Sequence, residues 1–156
     1  MSEVEVRMKS RGIVLPGVSR PRANYVPVTE ANNILYVSGQ VPRMEGVDLY
    51  VGRVGEVICA DEAKDAARVC ALNIIAQLRA YLGGDLDRVK SCVRVRGYVN
   101  AVPDFTSHAA VINGASDLIV EVFGDRGRHS RTAIGVGSLP HGFAVEVDAE
   151  FELADE

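Results

Sequence analysis

The sequence predicts an α+β chain in which two helices cover one face of a mixed sheet. Three observations lead there. Two long stretches repeat their apolar residues every three or four positions. Four shorter runs are apolar or alternate with period two. In chain order these elements read strands, helix, strand, helix, then two strands.

The first clear strand is Ile34-Leu35-Tyr36-Val37-Ser38, an apolar run closed by Gly39. After it, Pro42 to Gly55 is Gly-rich and without period, which predicts a long surface loop. The first helix is expected from about Asp61 to Leu82. Asp61 is a candidate N-cap, and Glu62 and Asp65 suit the positive end of the helix dipole. Ala63, Ala67, Cys70, Ile74, Leu78 and Tyr81 form its apolar stripe, and Gly83-Gly84 provides the left-handed turn that stops it.

Val89 to Tyr98 alternates. The pattern puts Val93, Val95, Gly97 and Val99 on one face and Cys92, Arg94, Arg96 and Tyr98 on the other. The second helix is expected from about Asp104 to Phe123, bounded by Pro103 and Gly124, with Phe105, Ala109, Ile112, Ala115, Ile119 and Val122 on its stripe. Gly114 interrupts it at a cost of about 1 kcal/mol relative to Ala. Arg131 to Val136 is a strand. Pro140-His141-Gly142 then turns the chain into Ala144 to Leu153, whose odd positions are apolar and whose even positions Glu146, Asp148, Glu150 and Glu152 are acidic. Arg94 and Arg96 are placed to pair with those acids across the sheet. A solvated face and a polar subunit interface both account for them.

Composition narrows the function. At 156 residues one domain is expected, with the first ten or so residues flexible. Lys and Arg number 17 against 21 Asp and Glu, a net charge of -4, which argues against nucleic acid as a partner. No apolar run reaches the ~18 residues of a membrane span. The N-terminus mixes Glu3 and Glu5 with Arg7, Lys9 and Arg11 and lacks an apolar core, so a cytoplasmic location is expected. Cys59, Cys70 and Cys92 are odd in number and without C-x-x-C spacing, so neither a disulfide framework nor a cysteine zinc site is expected. Cys70 falls on the helix stripe as a small buried hydrophobe. His108, His129 and His141 have no helical pairing and no accompanying carboxylates, so no metal or cofactor is expected. Nucleophile-elbow, phosphate-loop, dinucleotide and zinc-protease motifs are all missing.

The segment richest in chemistry is 125–140, where Arg126, Arg128 and Arg131 fall within six residues. A guanidinium is a planar fork that grips a carboxylate through two parallel hydrogen bonds, so a small carboxylate is a natural guest. A solvated basic loop is the alternative.

Arg131-Thr132-Ala133-Ile134-Gly135-Val136, then Leu139-Pro140, then Val145-Glu146-Val147 resembles the signature of the YjgF/YER057c/UK114 family, also called Rid, the reactive-intermediate imine deaminases. Tyr25 before the first strand, Ser38-Gly39-Gln40 after it and Asn113 in the second helix match further landmarks in order. The resemblance spans about Pro21 to Phe151. It implies a homotrimer with a chorismate-mutase-like fold, two helices on a mixed six-stranded sheet, and ligand clefts between subunits. It also implies hydrolysis of imines and enamines such as 2-aminoacrylate to keto acid and ammonia. Carried over by position, Arg131 holds the substrate carboxylate and Glu146 orients or activates water. Tyr25, Asn113 and Gly39 line the cleft, backbone near Gly135 touches the substrate, and Arg128 stands at the mouth.

The chemistry is self-consistent, since a protonated imine next to a carboxylate needs an anion clamp, a water and a proton carrier. Three features depart from the family pattern. Ala133 stands where Cys is frequent, 41–48 lacks the usual motif, and extra residues 124–130 bring Arg126, Arg128 and His129 beside the clamp. That surplus charge favours a larger or more anionic ligand. A non-catalytic trimer that binds a small carboxylate metabolite is the alternative function. RNA cleavage is disfavoured by the acidic balance.

Overall fold

The computed structural model describes residues 1–18 and 20–155. In chain order it contains α1 (Glu3–Ser10), β1 (Val28–Ala31), β2 (Ile34–Gln40), β3 (Arg43–Met44), β4 (Val47–Asp48), α2 (Ala60–Tyr81), β5 (Val89–Asn100), α3 (His108–Phe123), β6 (Ser130–Val136) and β7 (Val145–Leu153). The main sheet has five strands in the order β1-β2-β7-β5-β6, and β3 and β4 form a separate hairpin. The expected six-stranded sheet is therefore corrected to five strands plus a two-residue hairpin. The α+β class and the mixed sheet agree with expectation. Only β5 and β6 run parallel, because α3 carries the chain back over the sheet between them.

The two long helices lie on one face. Small residues on α2, among them Ala63, Ala66, Ala67 and Ala71, are buried and let α3 approach closely. Gly114 sits at this crossing, and a Cβ there would collide with the Lys64 carbonyl. The glycine that weakens α3 on propensity is thus required by packing. Cys59, rather than Asp61, is the N-cap of α2, with its N–H donating to the Glu62 carboxylate at 2.8 Å. α3 begins at His108, four residues later than expected.

Two helices become three. α1 buries Val4 and Met8 and is capped from a distance, its Glu3 and Val4 N–H groups donating to the Asp87 carboxylate at 2.7 and 2.9 Å. Two apolar contacts in eight residues are too sparse a stripe to show in the sequence.

The faces of β5 also differ from the alternation. Cys92 pairs with Phe151 and Arg94 with Glu150, so Val93 is an extra residue in a bulge. The bulge shifts the period by one. Cys92 joins Val95, Gly97 and Val99 in the core, and Val93 is 39% exposed. Burial pushes the Cys92 thiol up to about 12, and Cys70 is raised for the same reason. Cys59 is exposed.

β7 keeps strict alternation, with Val145, Val147, Ala149, Phe151 and Leu153 buried under the helices. Its acids face the other way. Arg96 binds Asp148 at 2.8 Å and Glu150 at 3.4 Å, and the Tyr98 hydroxyl donates to Asp148 at 3.1 Å. The cross-strand pairing expected of Arg96 is present, but Arg94 instead donates to Thr132 Oγ1 at 2.9 Å, and no described helix covers this face. The segment expected as a loose loop over 42–55 is tied down. Its hairpin is followed by Val51 bridging to Phe143 and by Val54, fully buried, pairing with Ala101.

Candidate functional site

The residues singled out in the sequence fall into two groups. The first lies between β6 and α3. Arg131 stands beside Val95 in parallel register, so both side chains leave the face that the helices cover. The Arg131 Nη1 donates to Asn113 Oδ1 at 2.7 Å and to Ser116 Oγ at 3.2 Å, and Nη2 donates to the Ala109 carbonyl at 3.4 Å. Ala109, Asn113 and Ser116 lie one turn apart on α3, so one helix edge supplies all three acceptors. Among the described residues Arg131 has no carboxylate partner.

The anchoring extends one residue further. Ser116 Oγ is 2.8 Å from His129 Nε2, and His129 Nδ1 is 2.6 Å from the Gly127 carbonyl. A carbonyl only accepts, so Nδ1 carries the proton. In the neutral imidazole Nε2 then accepts from the Ser116 hydroxyl. Burial, and then the nearby Arg131 charge, hold the His129 pKa below its ordinary value. Gly135 lies two strand positions beyond Ala133 on the same face, and a side chain there would come within 2.7 Å of His108 Nε2.

The second group surrounds a cavity of about 360 Å³ near the end of β2. Tyr25, Gly39 and Glu146 line it together with Arg22, Arg43 and His141. Glu146 is flanked in β7 by the buried Val145 and Val147, so it points away from the helices. Gly39 leaves room for its carboxylate, since a Cβ at 39 would lie 2.7 Å from Glu146 Oε1. Burial, with a smaller contribution from Asp148, raises the Glu146 pKa. Tyr25 is 51% exposed at the rim.

Arg131 and Asn113 are thus brought together, with Gly135 further along β6 beside His108, and Tyr25, Gly39 and Glu146 share the cavity, but the two groups do not meet within one chain. Arg128 joins neither group. Its side chain is 75% exposed and lies 3.5 Å from Asp125. Arg126 closes the start of β5 by donating to the Val89 carbonyl at 2.9 Å. The extra segment therefore contributes His129 to the clamp, not additional guanidinium groups. Ser116 was missed, although its spacing of three from Asn113 could have revealed it. Arg22 and His141 lie outside the strands and Arg43 opens the two-residue β3, so no period points to a common cavity.

Among the described residues, no group of three His, Cys, Asp or Glu is arranged to hold a metal ion. Among the described residues, no helix is long and apolar enough to cross a membrane.

Residues 5–145 match the family described as "YjgF/chorismate mutase-like, putative endoribonuclease". The chain belongs to the YjgF family. It is 46% identical over 151 residues to Protein TCP17 of Trypanosoma cruzi, covering 96% of this chain and 94% of that protein. It is also similar to the crystal structure of Atu1372 from Agrobacterium tumefaciens, a protein of unknown function, at 44% identity and a TM-score of 0.90, covering 97% and 92% of the two chains. A "putative endoribonuclease" from Shewanella oneidensis MR-1 superposes with a TM-score of 0.93 at 35% identity, covering 97% and 100%. YjgF membership and the chorismate-mutase-like fold agree with the resemblance read from the signature around Arg131.

Proposed function

We propose that this protein hydrolyses reactive imine and enamine intermediates bearing a carboxylate, of the 2-aminoacrylate kind, to keto acid and ammonia. The reading rests on one observation above all: a guanidinium oriented by neutral oxygens and left without a carboxylate partner. With Nη1 donating to Asn113 and Ser116 and one Nη2 hydrogen turned to the Ala109 carbonyl, the Nε–H and the remaining Nη2–H of Arg131 form the fork that receives the substrate carboxylate. An enamine takes a proton at its terminal carbon and becomes an iminium. Water adds to the iminium carbon, the C–N bond breaks, and nitrogen leaves with its proton as ammonia as the carbonyl forms. A carboxyl whose pKa is raised, as at Glu146, is suited to pass protons between that water and the departing nitrogen.

The division of the residues supports a homotrimer in which Arg131 and Asn113 of one subunit complete the cavity that holds Tyr25, Gly39 and Glu146 of its neighbour. The uncovered sheet face, with Tyr36 and Ile134 exposed on it, supports the same assembly. RNA cleavage finds less support, because the uncovered face is lined with four acids.

The test is keto-acid release from imines generated in place by an amino-acid oxidase, with wild type compared with Arg131→Ala. Acceleration by wild type that disappears in the variant, with the assembly intact by mass, is the expected result. A fully active variant overturns the proposal. Carboxylate binding without turnover would replace it with a non-catalytic metabolite-binding protein.

A further inference from the structure

The cavity beside Glu146 carries more positive charge than a monocarboxylate substrate uses. Its wall includes Arg20, Arg22, Arg43 and His141, with Glu146 as the one acid. In a chain of net charge -4, three guanidinium groups lining one cavity are a local reversal of sign. They are also organised. Asp48 holds two of the cationic side chains, 2.6 Å from Arg43 Nε and 3.4 Å from His141 Nδ1, and the Arg43 guanidinium beside it, then His141 and Arg22, lower its pKa. Phe143 forms the backing, with its ring stacked against His141 at 5.8 Å and under the Arg43 guanidinium at 5.4 Å.

The backbone supports this placement. His141 adopts φ 56°, a left-handed conformation uncommon for a residue with a side chain, and it lines this wall. Arg20 and Arg22 are exposed and form no ion pair among the described residues. Asp48 offsets one positive charge and leaves these two unmatched. The volume, about 360 Å³, lies within the range of small-molecule sites and exceeds what a three-carbon acid fills.

We propose that the substrate carries a second anionic group, a carboxylate or a phosphate on its side chain, and that Arg22, with Arg20, Arg43 and His141, receives it. This rests on the imine-hydrolase reading: Arg131 takes the carboxylate next to the imine, and the cavity wall takes the distal group. The charge expected from the sequence at Arg126 and Arg128 is supplied here by different arginines.

The experiment compares kcat/KM for imines of neutral parents, leucine and methionine, with imines of acidic parents, glutamate and O-phosphoserine. Wild type, Arg22→Gln and Arg131→Ala are measured side by side. Wild type is expected to favour at least one acidic imine tenfold or more, and the two acidic parents separate carboxylate from phosphate. Arg22→Gln is expected to lower the acidic-to-neutral ratio at least tenfold, whereas Arg131→Ala removes turnover of both classes. Equal ratios in wild type and Arg22→Gln overturn the second-anion inference and leave the hydrolase reading standing. If no imine is turned over, the hydrolase reading fails and calorimetric titration decides this inference separately. Glutarate or 3-phosphonopropionate binding tenfold tighter than butyrate, with the difference lost in Arg22→Gln, upholds the anion site. Equal affinities overturn it.

Discussion

Arg131 and Glu146 stand on opposite faces of one sheet, on strands separated by β5. Arg131 reaches up to α3, and Glu146 points away from both long helices toward the cavity beside Gly39. No rotamer change brings two such side chains together within a chain. If both serve one reaction, they do so from different subunits.

That arrangement predicts complementation. Arg131→Ala and Glu146→Gln are each expected to be impaired alone. After unfolding and refolding an equal mixture, random trimers contain restored clefts, and about a quarter of wild-type activity is expected from cyclic symmetry. Keto-acid release before and after mixing is the measurement. Absence of any recovery, with subunit exchange shown by mass, would place the chemistry elsewhere.

The His129 relay predicts an acid limb in the pH profile. The folded pKa of His129 lies below its ordinary value of 6.5, so the unfolded chain binds more protons in the window between the two. The stability that neutral His129 contributes is therefore present above 6.5 and is lost as pH falls through the folded value. A protonated ring also stops accepting from Ser116, which loosens Arg131. KM should rise on the acid side before kcat falls, and His129→Gln should flatten that limb. An unchanged profile in the variant would remove the relay from the argument.

Gly114→Ala sets two effects against each other. Helix propensity favours Ala by about 1 kcal/mol. The new methyl meets the Lys64 carbonyl, part of α2's own backbone, which cannot swing aside. Overpacking of this kind typically costs about 1–3 kcal/mol or more, so a net loss is expected in denaturant titration. A gain in stability would mean that the helices separate more easily than their contact suggests.

The order of elements, the two long helices and β7 were legible because their periods run unbroken over many residues. β5 differs from the alternation because Val93 inserts one residue and reverses inside and outside for Cys92, and a bulge leaves no trace in the one-dimensional pattern. The hairpin of β3 and β4, with two residues in each strand, is too short to have a period. Arg131 and Glu146 were legible through the signature around them. That they face opposite ways follows from strand register, which pairs Arg131 with Val95 and Glu146 with Tyr98, and no local pattern states it. His141 and Arg22 line one cavity only because segments distant in sequence close around it.

The three oxygens that hold Arg131 are an amide, a hydroxyl and a backbone carbonyl. None bears a formal charge, so raising the ionic strength gives dissolved ions no internal ion pair to disrupt. Salt then screens the approach of an anionic ligand while the guanidinium stays aimed. The attraction is adjustable by the medium, and the posture of the arm is set by the chain alone.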